Sequence, residues 1–475
     1  MAKENLLTFV DLLQTTTSYF LKKKSQLDLA ININGDEIGS LTGRLGYAQV
    51  GTTLSAGNTV RGLRSYQRQA DGTQYLFAVC NGTLSYYNGS SVSNITSGLT
   101  SAALVEFRVF VDELFMVGAD SSNNYLTPAN IDGTTYSTTN NLGSAPSGAR
   151  FVEVFRNKLY FADVVVGGTR YPSRFNFSSI PTTGAITWSS TDFEEVYTDN
   201  GEAIKGMHTN KFLNQLLFFK ETTMHAWDTF RLRDVGNVGT TAHRSIVTVD
   251  GVTYFFNRNG IYAYDGSMPK LISRPISKWI KGITASNLGS VFAAKESEFV
   301  YKLYVGAITV DGVSYSNCEI RHSVLDNTFT IYSYAHAFSV YAEHIISSVE
   351  RVYSGDTTGK IFKLAQDADA VYSDDGSAIG NQFSFTVDMG LPSERKFIDR
   401  CLIYTTRGQN LTGRVRVRNE DWKTHFAINK AEQQVNINPK DGRFLQFHFS
   451  SNSTVMPFIF EGVSFNANQT TSNIA

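Results

Sequence analysis

The sequence predicts an all-β protein, a β-propeller of about six to eight blades, on three observations. Aromatic residues make up 13% of the 475 residues and there are 38 Gly, which suits half-buried pleated strands joined by tight turns. Charged residues are only 18%, below the quarter or so that is usual in soluble domains and unlike the charged surface of a helical protein. The third observation is a repeated pattern of short strands and turns.

The repeat begins near residue 60. Its clearest copies lie at residues 75–89, 105–118, 151–163, 204–228, 245–266, 291–332 and 340–365. Asn81-Gly82 and Asp250-Gly251 are strong hairpin signals, because type I′ turns need a positive φ at both central positions. Further turns are expected at Asp112-Glu113, Asn157-Lys158 and Asn259-Gly260. The copies begin about 45 residues apart on average, which is the period of a four-stranded propeller blade.

The two ends of the chain lack this repeat and divide it into three predicted regions. Residues 1–38 are expected to form an extended or partly helical N-terminal arm, since their apolar residues are only partly helical in spacing. Residues 39–379 are assigned to the propeller. Residues 380–475 read as five or six strands without the repeat, which predicts a C-terminal β-sandwich-like domain or a last sheet packed on the propeller.

Net charge and cysteine content exclude several classes of protein. The formal net charge of −1 argues against a chain that binds nucleic acid through its overall charge. Cys80, Cys318 and Cys401 are far apart and show neither zinc-ligand spacing nor a disulfide framework. We expect them to be buried apolar side chains of a protein made in a reducing cytoplasm.

The N-terminal segment does not resemble a secretory signal. Glu4, Asp11 and Gln14 interrupt its apolar residues, whereas a signal needs an unbroken apolar stretch. No run elsewhere approaches the roughly 18 apolar residues of a membrane helix. We therefore expect a chain made in the cytoplasm with no membrane-spanning segment.

No catalytic, metal or cofactor site is expected, and the sequence does not predict an enzyme. It contains no HxxxH or HExxH pair, no GxSxG motif and no GxxxxGK[ST] loop. Asp367, Asp369, Asp374 and Asp375 could bind calcium, but they do not follow EF-hand spacing, and a solvated linker is favoured.

One basic pattern has two interpretations. Arg414, Arg416 and Arg418 alternate with Val, so on a strand all three lie on one face. The simpler interpretation is a solvated sheet face. The functional one is a basic stripe at an interface or channel, facing an acidic partner subunit or passing DNA.

The order of several segments resembles the tail hub, or nozzle, proteins of short-tailed bacteriophages. The segments are GSLTGRLGYAQV at 39–50, EVFRNKLYFAD at 153–163, NFSS at 176–179 and ITWSS at 186–190, GEAIKGMHTNKFLNQLLFFKETTMHAW at 201–227, GVTYFFNRNGIYAYDG at 251–266, LISRPISKWI at 271–280 and PFIFEGVSF at 457–465. The resemblance covers roughly residues 30–465 and rests on the order of motifs rather than on any single one.

The resemblance implies a virion structural protein located in the phage tail. Such a protein forms a homo-oligomeric ring, commonly a hexamer, below the portal and adaptor rings. The ring retains the genomic DNA and conducts it non-specifically during ejection, and tail fibres or spikes often dock on its flank. An alternative is a carbohydrate- or receptor-binding, or polysaccharide-degrading, phage propeller, and a cellular scaffold propeller is a third.

Overall fold

Strands dominate the described part of the chain. The computed structural model describes residues 4–7, 11–15, 26–35, 39–197, 201–346, 349–366, 369–387, 396–407, 411–417, 420–437, 441–442 and 444–469. Seven short strands come first: β1 (Glu4–Leu7), β2 (Asp11–Leu13), β3 (Gln26–Leu27), β4 (Leu29–Ile31), β5 (Ile33–Asn34), β6 (Leu41–Gly43) and β7 (Tyr47–Val50).

Five four-stranded antiparallel sheets follow, each made of consecutive strands. Sheet 1 contains β8 (Val60–Gln67), β9 (Gln74–Cys80), β10 (Thr83–Tyr87) and β11 (Val92–Thr96). Sheet 2 contains β12 (Leu104–Phe110), β13 (Glu113–Ala119), β14 (Ala129–Asp132) and β15 (Thr135–Ser137). Sheet 3 contains β16 (Gly148–Phe155), β17 (Lys158–Val166), β18 (Thr169–Ser178) and β19 (Trp188–Glu195). Sheet 4 contains β20 (Gly206–Asn210), β21 (Gln215–Phe219), β22 (Met224–Trp227) and β23 (Leu232–Gly236). Sheet 5 contains β24 (Val247–Val249), β25 (Val252–Asn257), β26 (Gly260–Tyr264) and β27 (Lys270–Leu271).

Short helical segments surround sheet 5. A 3-10 turn at His243–Ser245 precedes it, and the 3-10 turn Arg274–Ile276, the helix α1 (Ser277–Lys281) and the 3-10 turn Ala285–Asn287 follow it. Among the described helices, none combines the length and apolar character needed to cross a membrane.

Two further units continue the pattern. Sheet 6 contains β28 (Phe292–Ser297), β29 (Val300–Val310), β30 (Val313–Ser323) and β31 (Thr328–Ser333). Sheet 7 contains β32 (Phe338–Ile346), β33 (Val349–Asp356) and β34 (Ile361–Leu364), and its fourth strand is the N-terminal β7. Ile361 pairs with Val50 and Leu364 with Tyr47, so the start of the chain completes the last unit.

The first strands of neighbouring sheets contact one another in sequence. β8 contacts β12, β12 contacts β16, β16 contacts β20, β24 contacts β28, and β28 contacts β32. The 3-10 turn before β24 bridges to β20, and β32 contacts β8. Sheets 7 and 1 also share a core that includes Val60, Leu76, Val340 and Tyr353. The described residues are thus all-β, with many small four-stranded sheets in an arrangement consistent with a β-propeller-like architecture.

The C-terminal strands build two larger sheets. They are β35 (Ile379–Val387), β36 (Lys396–Arg407), β37 (Leu411–Val417), β38 (Thr424–Ile428), β39 (Glu432–Asn436), β40 (Asp441–Gly442), β41 (Leu445–Ser453) and β42 (Ile459–Gln469). One sheet extends sheet 6 in the order β31-β4-β35-β41-β37-β38, and the other runs β39-β36-β42-β6-β5. Phe383, Phe449 and Phe460 from the two sheets pack in one core. The domain boundaries set from the sequence stay a prediction.

The predicted N-terminal arm is not evident as a separate element. The described residues before residue 39 contain the strands β1 to β5 and no helix. β1, β4 and β5 pair with strands elsewhere in the chain, whereas β2 pairs with β3. β4 lies between β31 and β35, so it joins sheet 6 to the C-terminal strands.

Three hairpin turns lie one residue before the predicted positions. The turns of sheets 2 and 3 are Val111-Asp112 and Arg156-Asn157, all four with positive φ, and β26 already begins at Gly260. Asn81-Gly82 and Asp250-Gly251 lie at the predicted positions with positive φ. Glycine marks these two turns in the sequence, whereas cross-strand packing imposes the left-handed conformation on Val111 and Arg156.

Candidate functional site

A cavity of about 330 Å³ lies where the first strands of the sheets converge. Because side chains alternate along a strand, each first strand directs some side chains to the cavity and others to the cores between sheets. The cavity is rich in ionisable groups, which come from most of the sheets. They are Arg64, Glu106, Arg108, His208, Lys211, His243, Arg244, Lys295 and Glu343.

Glu106 is the centre of one charged group in this cavity. Its Oε1 accepts a hydrogen bond from Arg244 Nε at 2.8 Å, and its Oε2 lies 3.5 Å from His243 Nε2. Burial alone would raise the pKa of Glu106, but Arg244 and His243 outweigh it and hold that pKa well below its ordinary value. Arg244 also donates to the carbonyls of Arg61 and Val105, so it ties sheets 1 and 2 to the segment before sheet 5.

Glu153 is the centre of a second charged group, again a glutamate with one arginine and one histidine. The group adjoins the cavity through Arg108 and His208. Arg108 Nη2 donates to Glu153 Oε1 at 2.5 Å, and His208 Nδ1 lies 3.8 Å from the same oxygen. Burial opposes ionisation of Glu153, but Arg108 lowers its pKa. Burial also lowers the pKa of His208 to about 4, despite the nearby carboxylate. His208 is therefore neutral at pH 7, and its Nε2 lies 2.8 Å from Thr248 Oγ1.

The remaining ionisable groups have looser surroundings. Arg64 and Glu343 keep solvent contact within the cavity. Desolvation by the surrounding protein lowers the pKa of Arg64, and the like charge of Arg108 lowers it further. Desolvation raises the pKa of Glu343, whose Oε1 accepts a hydrogen bond from the Lys295 backbone at 3.0 Å.

The cavity is electrostatically organised, but Glu106 in its wall and Glu153 beside it are already engaged by arginines. A general base must be able to take up a proton near the working pH, and the lowered pKa values of these two groups oppose that. In the described part of the chain, no cluster of three or more His, Cys, Asp or Glu is arranged to hold a metal ion. The arrangement fits cross-linking between sheets.

The predicted arginine stripe lies elsewhere, in a second cavity that we call the cationic cleft. Arg414 and Arg416 lie on β37 and their guanidinium carbons lie 4.6 Å and 4.4 Å from the ring centroid of Trp422. Val415 between them is buried on the opposite face, as the alternation predicts. Arg418, the third residue of the stripe, lies outside the described residues.

The cationic cleft has a volume of about 570 Å³ and separates β37 and β41 from helix α1 and the β29–β30 connection. Trp279 and Lys278 of α1 and Asp311 of that connection line its far side. Lys278 Nζ donates to Asp311 Oδ2 at 2.6 Å, so this pair is internally neutral. Gln446 Oε1 accepts a hydrogen bond from Arg416 Nε at 2.9 Å.

The structure also tests the predictions made for the three cysteines and for the acidic segment near residue 370. Cys80, Cys318 and Cys401 are buried, as expected, and burial raises the pKa of each thiol. Asp374, expected in a solvated linker, is instead 2% exposed and forms a salt bridge with Arg44. Asp367 lies outside the described residues.

Sequence reasoning missed the charged cavity, although a signal was present. The first strand of most repeats carries an ionisable residue among apolar ones, such as Glu106 in VEFRVF, Glu153 in FVEVF and Glu343 in VYAEH. When an ionisable residue recurs at the same position of a repeat, the copies are expected to lie near one another in the fold and form a polar region. No family model matches this chain, and no curated protein sequence matches it significantly.

Proposed function

We propose that this chain is a structural protein of a bacteriophage tail, which forms the hub or nozzle ring below the portal and adaptor and there retains and conducts DNA. The proposal starts from the ordered motifs that resemble tail hub proteins. We also infer that the seven sheets close into a seven-bladed propeller. The pairing of β7 with β34 and the core shared by sheets 7 and 1 support closure.

The observation that carries the assembly role is the placement of exposed apolar side chains. In a propeller, the connections between first and second strands and between third and fourth strands all lie at one end, because neighbouring strands are antiparallel. Large exposed apolar residues occupy such connections in sheets 3 to 6: Ile180, Phe212, Phe230, Met268 and Leu325. Phe212 and Phe230 are 78% and 89% exposed. An apolar end of this kind is typical of a surface that docks on another protein.

The charged cavity agrees with a structural role. Arg108 and Glu153 join the first strands of sheets 2 and 3, and Arg244 joins the 3-10 turn before sheet 5 to Glu106 of sheet 2. Such links suit a rigid block in a particle exposed outside the cell. The net charge of −1 suits a conduit, because a strongly basic wall would hold DNA through many phosphate contacts.

Cryo-electron microscopy of the purified particle tests the proposal. We expect a ring of identical subunits, commonly six, below the portal and adaptor, with the apolar end of each propeller against a neighbouring tail protein. Finding the chain only in the cytosol of infected cells, and never in the particle, would contradict the proposal.

A further inference from the structure

We propose that the cationic cleft binds the acidic outer strand of sheet 3 from a second copy of this chain. We call that strand segment, with Asp192 and Glu194, the acidic edge. The inference rests on the proposed ring of identical subunits and names the contact that holds neighbours together.

Two positive charges in the cationic cleft have no described carboxylate in direct contact, although Asp28 also lines the cleft. Among the described residues, no carboxylate lies within salt-bridge distance of Arg414 or Arg416, and the partner of Arg416 Nε is the neutral side chain of Gln446. Burial and the like charge of Arg416 lower the pKa of Arg414, which is the effect expected for uncompensated cations. An anion entering the cleft would relieve this repulsion.

Unpartnered donors in the same cleft provide independent support. Trp279 is 1% exposed and lines the cleft, and its Nε1 has no hydrogen-bond partner among the described residues. Arg414 Nε, on the opposite wall, is likewise buried and unpartnered within the described chain. Buried donors are normally satisfied, so either atom would gain a partner if the cleft admitted an acceptor.

The acidic edge offers the matching groups. β19 is the outermost strand of sheet 3. Asp192 and Glu194 form no hydrogen bond or ion pair with the described residues, whereas Glu195 is engaged by Arg174. Asp192 and Glu194 are two residues apart, as are Arg414 and Arg416, and alternate residues on a strand lie about 6–7 Å apart. Two carboxylates can thus meet two guanidinium groups in register.

The positions of the two patches suit a ring. The cationic cleft lies beside the β29–β30 connection of sheet 6, and the acidic edge lies on sheet 3. Sheets 3 and 6 are three steps apart in the order of sheet contacts, so the patches lie on different sides of the chain. A head-to-tail ring needs such a pair of different, complementary surfaces on each subunit.

Duplex DNA fits the cleft less well. The cleft also contains Asp28 and Asp311, and Arg414 Nε is buried within it. A duplex carries a charge about every 1.7 Å along its axis and is best met by cations that project from an open surface. The carboxylate side chains of a single strand are narrow enough to enter the cationic cleft, whereas a DNA duplex is too wide.

A charge-swap experiment on the full chain tests the contact. One variant combines Arg414→Glu and Arg416→Glu, and the other combines Asp192→Arg and Glu194→Arg. We expect the wild-type chain to self-associate, less so as salt increases. Each variant alone should remain monomeric because its two patches repel, and an equimolar mixture should associate again. Sedimentation velocity and native mass spectrometry measure association.

The control variant, Arg258→Glu with Lys270→Glu, makes the same charge change on exposed residues of sheet 5 and should associate as wild type does. Circular dichroism and thermal unfolding check that every variant folds. Wild-type chain that is monomeric at its highest soluble concentration, variants that still associate, or a mixture that does not would each overturn the inference. Loss of binding to a 20-base-pair duplex with self-association unchanged would assign the cleft to DNA instead.

The particle structure separates this inference from the proposed function. A ring whose subunits contact each other elsewhere overturns the contact but leaves the tail role intact. Absence of the chain from the particle overturns the tail role, even where the charge swap restores association.

Discussion

Arg44 and Asp374, which are 330 residues apart in the chain, form a buried two-point salt bridge beside the strand that completes sheet 7. Arg44 Nη1 and Nη2 donate to the two carboxylate oxygens at 2.8 Å and 2.7 Å, and Arg44 Nε donates to Asn32 Oδ1 at 2.8 Å. The guanidinium also lies 4.5 Å from the ring centroid of Tyr334. The pair therefore fixes the approach of the N-terminal segment to the last sheet.

Breaking this salt bridge should strongly destabilise the fold. Asp374→Asn leaves the buried Arg44 without its counter-charge, and we expect the free energy of unfolding to fall by about 3–5 kcal/mol. Urea unfolding at pH 7 measures it. The control is Asp375→Asn, whose partly exposed pair with Lys360 at 3.4 Å should contribute about 0–1 kcal/mol. Equal losses for the two variants would contradict the prediction.

Gly46 should not tolerate a side chain. A Cβ at this position would lie 1.9 Å from the carbonyl oxygen of Ser373, so the backbone would have to move. We expect Gly46→Ala to lower stability by about 1–3 kcal/mol or more, through overpacking. Gly143→Ala is the matched control, because no atom lies within 4 Å of its added Cβ. Thermal unfolding of the two variants should separate them clearly, and similar midpoints would show that the close approach is unimportant.

Two glutamates, Glu153 beside the charged cavity and Glu343 in its wall, should respond differently to neutralisation. Glu153→Gln removes the partner of Arg108, and we expect a loss of about 3 kcal/mol at pH 7.5. Glu343→Gln should leave stability unchanged or slightly higher, since the raised pKa of Glu343 means that the fold disfavours its charge. Chemical unfolding at one pH compares them. A larger loss for the Glu343 variant would refute the proposed cross-linking role of the cavity.

His322 should make the fold sensitive to mild acid. It stacks on Phe329 with ring centroids 4.5 Å apart, and burial lowers its pKa to about 4. Between pH 6.5 and 4 the unfolded chain binds a proton at this residue that the folded chain does not, so stability falls as the pH falls. We expect this residue alone to contribute a loss of about 2 kcal/mol between pH 7 and 5.

The measurement is the pH dependence of the unfolding free energy, rather than its value at one pH. His322→Gln should reduce the stability lost between pH 7 and 5 by about 2 kcal/mol, even where the variant is less stable overall. Part of the slope should remain, because burial also lowers the pKa values of His208, His344 and His448 to about 4. His425→Gln, which changes an exposed histidine, is the control and should keep the wild-type slope. An unchanged slope in the His322 variant would show that protonation of His322 does not contribute to the acid sensitivity.

Local signals in the sequence predicted the repeats well. Strand alternation and turn residues located all seven units, because these signals depend on neighbouring residues only. At Gly82 and Gly251, where glycine takes the second turn position, the predicted position was correct, but the turn predicted at Asn259-Gly260 lies one residue earlier. Where a turn lacks glycine, as at Val111, the prediction was one residue late, because the register of the paired strands decides the turn there.

Long-range pairings could not be predicted from these signals. Nothing local to β7 indicates that it pairs with β34, or that β4 joins β31 to β35. The arginine stripe was placed on one strand face, but Trp422 and Trp279, which give the cleft its character, come from other elements. Alternation alone also cannot show which face of a strand carries buried charged groups, so the ion pairs of Glu106 and Glu153 were not predicted.

The participation of β7 in sheet 7 has a consequence for synthesis. About three hundred residues must be translated between β7 and its partner β34, which takes roughly 15–60 s at 5–20 residues per second. Throughout that time β7 has no partner strand, and the edge of β34 is then open until the two ends meet. The nascent chain is therefore vulnerable to pairing with other chains for most of its synthesis, and sheet 7 can be completed only after β34 has been made.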